Sequence, residues 1–439
     1  MKISERLDSL PLSPFHWRMV IASGMGWMFD AMDSGLVSFV LAVLVKEWAL
    51  DPDQVGAIGS MGLVGMFAGA ILVGVLADRF GRKVLFQATL AVFSVATGLC
   101  AAASGFWSML VLRFFVGFGL GGELPVASTL VSESSPKDHR GKLVVILESF
   151  WAFGWAAAAV VAFLLIPRWG WRPAFLLGSL PVLYVLYLRK AVPESPRFLE
   201  SAGRWDDAVA VVRGIERECR ETEAPLERSS GQAYGGAGLA SLWSGQFFKR
   251  TAMLWLLWFS MVYSYYGIFI WLPSLLVSSG HSLVKSFTYV LVITLAQIPG
   301  YFSAAWLVDR WGRKPTLTLY MLGCAVASYV FGKMSSAHGI VLWGSLISFF
   351  NLGAWGVVYT YTPENYPTSL RGTGSGWAVG VGRVGGILAP MAVGRMLQLW
   401  SGRQDLVFAQ FAGVVLVGLL AVALLGEETK GRSLEEIAT

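Results

Sequence analysis

Gly74-Val-Leu-Ala-Asp78-Arg79-Phe-Gly81-Arg82-Lys83 returns as Trp306-Leu-Val-Asp309-Arg310-Trp-Gly312-Arg313-Lys314, with Asp309 standing 231 residues after Asp78. A second landmark keeps the same offset. Glu133-Ser-Ser-Pro136 with Arg140-Gly141 reappears as Glu364-Asn-Tyr-Pro367 with Arg371-Gly372. Chance does not hold register over that distance, so the chain consists of two related halves. Each copy of the cassette sits between long apolar runs, and repeats of that kind are the architecture of multi-span membrane proteins whose halves move about a central site.

Composition agrees. The 439 residues are 55% hydrophobic and 14% charged, with a mean hydropathy of +0.60, whereas soluble domains carry about 25% charged residues. Apolar spans fall near 17–45, 55–77, 84–104, 106–132, 142–166, 171–189, 251–278, 286–308, 315–334, 338–363, 372–398 and 404–426. Each is close to the roughly 20 residues that a helix needs to cross a bilayer. The expected fold class is an all-α membrane protein of twelve transmembrane helices, six in each half. Gly and Pro in the first, seventh, tenth and eleventh spans mark places to bend.

With the N-terminus inside, cytoplasmic segments hold 25 of the 34 Lys and Arg residues against 6 in external loops. That bias places both termini in the cytoplasm. It also accounts for the net charge of +6 without nucleic acid, since the basic residues are scattered over short loops beside lipid headgroups. The expected organisation is a cytoplasmic segment 1–16, a six-helix bundle 17–189, a linker 190–249, a second bundle 250–426 and a tail 427–439. No removable signal peptide is apparent. In the linker, Asp206 to Glu218 alternates charged and apolar residues at helical spacing, and Gly235-Gly236-Ala-Gly238 reads as flexible. Cys100, Cys219 and Cys324 lack metal or disulfide spacing, and the four histidines form no cluster. No metal, cofactor or catalytic set is expected, and no phosphate-cradling loop points to ATP.

The doubled cassette reads as a conformational latch. Glycine permits the tight turn, and Asp78 and Asp309 are placed to accept charge-assisted hydrogen bonds from nearby arginines. The cytoplasmic gating set is Asp78, Arg82, Glu133 and Arg140 with Asp309, Arg313, Glu364 and Arg371. Positive-inside anchoring alone is the plainer alternative.

Charges inside spans are costly and normally have a partner or a task. Five stand out in the first half: Asp30, Asp33, Arg113, Glu123 and Glu148. Asp30 and Asp33 are three apart and share a helical face. Two carboxylates that close disfavour double ionisation, which suits them to reversible protonation. Counting residues from the span ends sets Asp33 and Arg113 roughly 8 Å apart in depth at helical rise, within side-chain reach, and sets Glu123 and Glu148 at a second level nearer the cytoplasm. A static pair that only orients the helices, and carboxyls that only brace them, are the competing readings. In the second half Arg383 lies in Gly380-Val-Gly382-Arg383-Val-Gly385-Gly386. It can take a carboxylate in a bidentate fork or cap carbonyls at a Gly-rich bend. Trp155, Tyr265, Tyr266, Trp355, Tyr359 and Trp377, with Gln297 and Asn351, are mid-span candidates for a site that binds a flat molecule, although each alone is more readily packing than ligand contact. Trp17, Trp48, Trp169, Trp171 and Trp400 near span ends read as interface anchors.

The cassette pair and the six-plus-six spans resemble the major facilitator superfamily over essentially the whole chain. Arg113-x-x-x-Gly117-x-Gly119-x-Gly121, Pro193-Glu-Ser-Pro-Arg197 and Glu428-Thr-Lys-Gly431 are similar to landmarks of its sugar-porter branch. Span seven, however, lacks the paired glutamines that sugar porters use. Gly26-Trp-Met-Phe-Asp30-Ala-Met-Asp33-Ser-Gly35, Gly121-Gly-Glu123-Leu-Pro125 and Leu147-Glu148-Ser-Phe-Trp151-Ala-Phe-Gly-Trp155 resemble the bacterial niacin transporters, near the aromatic-acid and metabolite:proton symporters. The resemblance implies the major facilitator fold and uptake of nicotinate or a similar small aromatic carboxylate, a small organic acid, with protons, by a monomer in the bacterial cytoplasmic (inner) membrane. It also implies that Asp33 and Arg113 form the coupling pair, with Asp30, Glu123 and Glu148 as further acids. Proton-coupled export or exchange of other organic acids or amphipathic compounds, and a non-transporting membrane sensor on the same scaffold, are the alternatives.

Overall fold

The computed structural model describes residues 2–80, 82–136, 139–184, 187, 193–222, 225–227, 239–245, 247–366 and 368–430. Its helices are α1 (Ile3–Ser9), α2 (Pro14–Glu47), α3 (Pro52–Phe80), α4 (Arg82–Cys100), α5 (Phe106–Ser134), α6 (Arg140–Trp169), α7 (Arg172–Gly178), α8 (Pro196–Ser201) and α9 (Trp205–Cys219). There follow α10 (Leu239–Leu242), α11 (Phe248–Ser278), α12 (Leu283–Leu295), α13 (Gln297–Trp311), α14 (Arg313–Phe331), α15 (Ala337–Glu364), α16 (Thr368–Leu399) and α17 (Gln404–Leu425). Among the described residues, nine helices are long and apolar enough to span a membrane.

The ends of these helices follow local chemistry. Asp51 accepts from the Gln54 N–H at 2.8 Å and Gln54 answers the Asp51 N–H at 3.1 Å, with Pro52 at the first helical position of α3. This reciprocal cap satisfies donors that a helix start leaves open. Ser282 and Ser336 cap α12 and α15 through their hydroxyls.

Among the described residues, helix interruptions fall outside the first, seventh, tenth and eleventh spans. α2, α11, α15 and α16 run unbroken, even though Pro273, Pro363 and Pro390 lie inside the last three. Spans six and eight are the interrupted ones. After α7 the chain turns at Ser179 and Leu180, because Pro181 offers no N–H to continue the ladder. Likewise Pro299 removes the bond to Leu295, and α12 and α13 are separated at Ala296.

Two compact units are present. The first comprises residues 1–33, 64–154 and 172–233. In it, Gly65 and Gly69 of α3 meet the carbonyl oxygens of Phe114 and Phe118 on α5, and Gly119 lies against Phe93 and Thr89 of α4. The glycines of the Arg113 motif therefore let backbones approach closely. Gly154 likewise brings α6 against Ala31 and Met32 of α2. On the polar side, α9 is the amphipathic helix expected from Asp206 to Glu218, with Ala208, Val212, Ile215 and Glu216 buried. Arg6 of α1 pairs with Glu216 at 2.7 Å and donates to the Thr222 carbonyl, also at 2.7 Å. The Gly235 to Gly238 stretch lies outside the described residues.

The second unit comprises residues 34–63, 155–171 and 234–439. Here the later parts of α2 and α6 and the start of α3 pack with helices of the second sequence half. Ser60 Oγ donates to the Ile387 carbonyl at 2.7 Å, Phe39 meets Phe287 edge to face at 5.0 Å, and Gly56 and Gly59 lie against Pro390. Trp171 is not an interface anchor: it is 1% exposed and donates to Glu47 at 2.8 Å.

Candidate functional site

In the first unit, α2, α4 and α5 converge on one carboxylate. Arg113 Nη1 donates to Asp33 Oδ2 at 2.7 Å, and Thr97 Oγ1 donates to Asp33 Oδ1 at 2.9 Å. The side chains of Asp33 and Arg113 are 0% and 4% exposed. Both carboxylate oxygens are thus engaged, which is what a buried charge requires. The Arg113 pairing is the one that the depth argument anticipates. Thr97 was missed, and no charge or aromatic signal marks it. Asp30 is buried one turn earlier on α2. Glu148 is buried on α6 and makes no ion pair among the described residues. The side chain of Glu123 lies outside the described residues.

A cluster of rings occupies the second unit. Trp155 of α6 meets Tyr265 and Phe269 of α11 at 5.8 and 5.7 Å between centroids. Tyr265 in turn meets Trp355 of α15 at 6.1 Å, and Trp355 stacks on Tyr359 at 5.6 Å. Arg383 of α16 is partly buried, within electrostatic range of Tyr266 and Tyr359. This cage draws on both sequence halves, so neither half alone builds it. Glycine shapes its margin: a methyl at Gly35 would lie 3.1 Å from the Trp155 ring, and one at Gly386 would lie 3.3 Å from Tyr266.

The amides divide. Asn351 is held from one side, its Nδ2 donating to Ser264 Oγ at 3.1 Å, while its Oδ1 has no partner among the described residues. Gln297, at the start of α13, is fully buried with neither amide atom hydrogen-bonded among them. Trp377 stands apart from the cage. It is 44% exposed and stacks on Trp255, which in turn meets Trp243.

At the second cassette, two members of the expected gating set are joined and one acid stands apart. Asp309 is exposed and accepts no hydrogen bond among the described residues, while Arg310 lies over the Trp306 ring at 4.1 Å. The acid that Arg313 engages is Glu364, through Nε at 3.0 and 3.2 Å and Nη2 at 2.8 Å. Thr429 Oγ1 also donates to Glu364, at 2.5 Å. Glu428 then accepts the backbone N–H groups of Arg313 and Lys314, each at 3.0 Å, capping α14. In the first unit Glu194 does the same for the Lys83 N–H at 3.1 and 3.2 Å. The acidic residues of the motifs after spans six and twelve therefore cap the helices that follow the cassettes. Gly312 has φ of +101°, and a methyl there would lie 2.5 Å from Glu428 Oε2. Gly81 and the side chains of Asp78, Arg82, Glu133, Arg140 and Arg371 lie outside the described residues.

Apolar helices in membrane-spanning number, a buried acid–base pair and a ring-lined cage define a multi-pass membrane transporter of a small substrate. The sugar (and other) transporter family model matches residues 24–439, and the chain belongs to that family, a family of secondary transporters and not of enzymes. It is 49% identical to the niacin transporter of Acinetobacter baylyi, with 100% of each chain covered. It is 30% identical to the benzoate transport protein of the same organism, covering 91% of this chain and 87% of that one. Among solved structures, the xylose transporter from E. coli in a partially occluded inward-open conformation gives a TM-score of 0.78 at 19% identity, covering 96% of this chain and 100% of the other. That last likeness is one of fold alone, and it agrees with the expected major facilitator architecture.

Proposed function

We propose that the protein imports nicotinate, or a closely similar small aromatic carboxylate, with protons across the bacterial cytoplasmic membrane. It works as a monomer by alternating access of two six-helix bundles, residues 17–189 and 250–426, joined by the linker 190–249. The observation that carries the substrate is the 49% identity to a niacin transporter over the full length of both chains. The site chemistry is compatible. Arg383 offers a fork for a carboxylate, and Trp155, Tyr265, Trp355 and Tyr359 offer walls for a flat ring, with Gln297 and Asn351 as polar partners.

The Asp33–Arg113 pair supports proton coupling. Protonating Asp33 removes the charge that holds Arg113 and releases α5 to rearrange. Asp30, Glu123 and Glu148 are assigned to the same proton path. Cytoplasmic gating falls to the Arg313–Glu364 pair with its counterparts Arg82 and Glu133, to Arg140 and its counterpart Arg371, and to Asp78 and Asp309. The contacts of Ser60 and Gly56 with α16 are ones that an alternating cycle must break.

The test is uptake of labelled nicotinate into proteoliposomes with and without an inward proton gradient. Accumulation driven by the gradient and lost in Asp33→Asn is expected. Exchange that ignores the gradient would remove the coupling and keep the substrate, whereas efflux under the same gradient would reverse the direction. No nicotinate flux under any condition would overturn the reading.

A further inference from the structure

Enclosed hydrogen-bond donors without acceptors are rare in native folds, and the aromatic cage holds two. The indole N–H groups of Trp155 and Trp355 are both buried, and the described residues supply an acceptor to neither. Neighbouring indoles do find one: Trp258 donates to Thr362 Oγ1 at 2.9 Å and Trp271 to the Pro390 carbonyl at 3.0 Å. Trp155 is 0% exposed. Both rings contact the same Tyr265, so the two donors belong to one cluster.

The cage also has a charged end. Arg383 lies within range of Tyr266 and Tyr359, and Tyr359 stacks on Trp355. Trp355 is therefore one ring, Tyr359, removed from the guanidinium, and its N–H is assigned to a carboxylate held there. Trp155 meets Tyr265 and Phe269 and is joined to Tyr266 across Tyr265, whose ring lies 5.4 Å from that of Tyr266, so Trp155 stands one ring farther from Arg383 than Trp355 does. We infer that Trp155 Nε1 donates to the ring nitrogen of a pyridine carboxylate whose acid group is held at the Arg383 end. The site then selects an aromatic acid with an in-ring acceptor over the all-carbon ring of benzoate. This inference rests on the aromatic-acid reading proposed above and supplies its specificity.

The chemistry is direct. A pyridine nitrogen carries its lone pair in the ring plane, so a ring lying between aromatic walls still offers it edge-on to an N–H. Benzoate presents C–H at that position and leaves the donor unmet, the more costly way to fail. Nicotinamide keeps the ring nitrogen but brings no charge to Arg383.

The experiment is competition against labelled nicotinate uptake in proteoliposomes, using unlabelled nicotinate, benzoate and nicotinamide, on wild type, Trp155→Phe and Trp355→Phe. Wild type is expected to bind nicotinate at least about tenfold more tightly than benzoate, near the upper range for one neutral hydrogen bond. Trp155→Phe keeps a ring and removes the donor, so nicotinate KM rises by about that factor, inhibition by benzoate is unchanged and the preference collapses. Trp355→Phe weakens both acids alike. Equal inhibition of wild type by benzoate and nicotinate, or equal weakening of both by Trp155→Phe, overturns the assignment. If Trp155→Phe does not fold, the wild-type competition decides alone. Absence of nicotinate uptake by wild type, by contrast, removes the aromatic-acid reading itself.

Discussion

Asp33 and Arg113 meet at 2.7 Å inside the first unit, and neither side chain is more than 4% exposed. A buried pair is strongly asymmetric towards mutation, because removing one partner strands the other. Arg113→Ala, which leaves the Asp33 carboxylate with Thr97 alone, is expected to cost about 3–5 kcal/mol. Asp33→Asn keeps a polar group of the same shape and should be milder in stability while abolishing gradient-driven uptake. Thermal unfolding in detergent, read beside uptake, separates the two effects.

Thr97 gives a finer test. Thr97→Val keeps the volume and deletes the hydrogen bond to Asp33 Oδ1. Loss of such a bond to a charged group costs about 1.5–3 kcal/mol, so gradient-driven uptake should fall at least several-fold. Thr97→Ser restores the donor and should restore most of the uptake. Equal loss in both variants would assign the effect to packing.

Gly35→Ala probes the cage from α2. The added methyl would lie 2.8 Å from Ala158 Cβ and 3.1 Å from the Trp155 ring, and overpacking of this kind costs about 1–3 kcal/mol. Nicotinate KM should rise, because Trp155 has to shift. Gly105→Ala, where the methyl enters open space, is the control and should leave both KM and melting temperature unchanged.

At the second cassette, Glu428→Ala deletes the cap that receives the N–H groups of Arg313 and Lys314. A lost cap costs about 1 kcal/mol. Gly312→Ala meets both a positive φ and the same carboxylate, and should cost about 1–3 kcal/mol. A double variant less than additive in melting temperature is expected, since Glu428→Ala relieves part of the clash.

Cys219 reports on the N-terminal clamp. Burial pushes its thiol up from the ordinary value, and its Sγ lies 3.5 Å from the Pro11 carbonyl. A raised thiol holds less thiolate at any given pH, so maleimide labelling at pH 7 should lag behind a free cysteine and accelerate as pH rises. Arg6→Ala breaks the pairing with Glu216 and should speed labelling by loosening α1 from α9. Unchanged kinetics would mean that α1 stays seated without the ion pair.

The membrane fold and its repeat were legible because two physical demands write themselves directly into residue order: apolar length for a span and cations at the inner ends. Asp33 and Arg113 were legible for the same reason, since a charge in a span is conspicuous. Thr97 was not. Thr89 and Thr294 satisfy their hydroxyls on their own helix carbonyls, so a threonine in an apolar run announces nothing about a distant acid. The interruptions were not legible, because a proline breaks a helix only where its surroundings do not accommodate the freed carbonyl. Pro273, Pro363 and Pro390 stay within continuous helices, whereas Pro181 and Pro299 do not. Within the gating set, Arg313 and Glu364 are joined and Asp309 is not. Asp309 is nearest to the arginines in sequence, yet Glu364 and Glu428 reach them from other elements.

Glu194 and Glu428 do equivalent work but arrive at different moments. The ribosome delivers Glu194 midway through synthesis, soon after the first six spans, so α4 can receive its acid while the second half is still unmade. α14 waits until the last membrane helix has left the exit tunnel. A stop codon ahead of Glu428 would therefore leave the Arg313 and Lys314 N–H groups without their acceptor while α4 keeps its own, so the injury would fall on the second cassette alone.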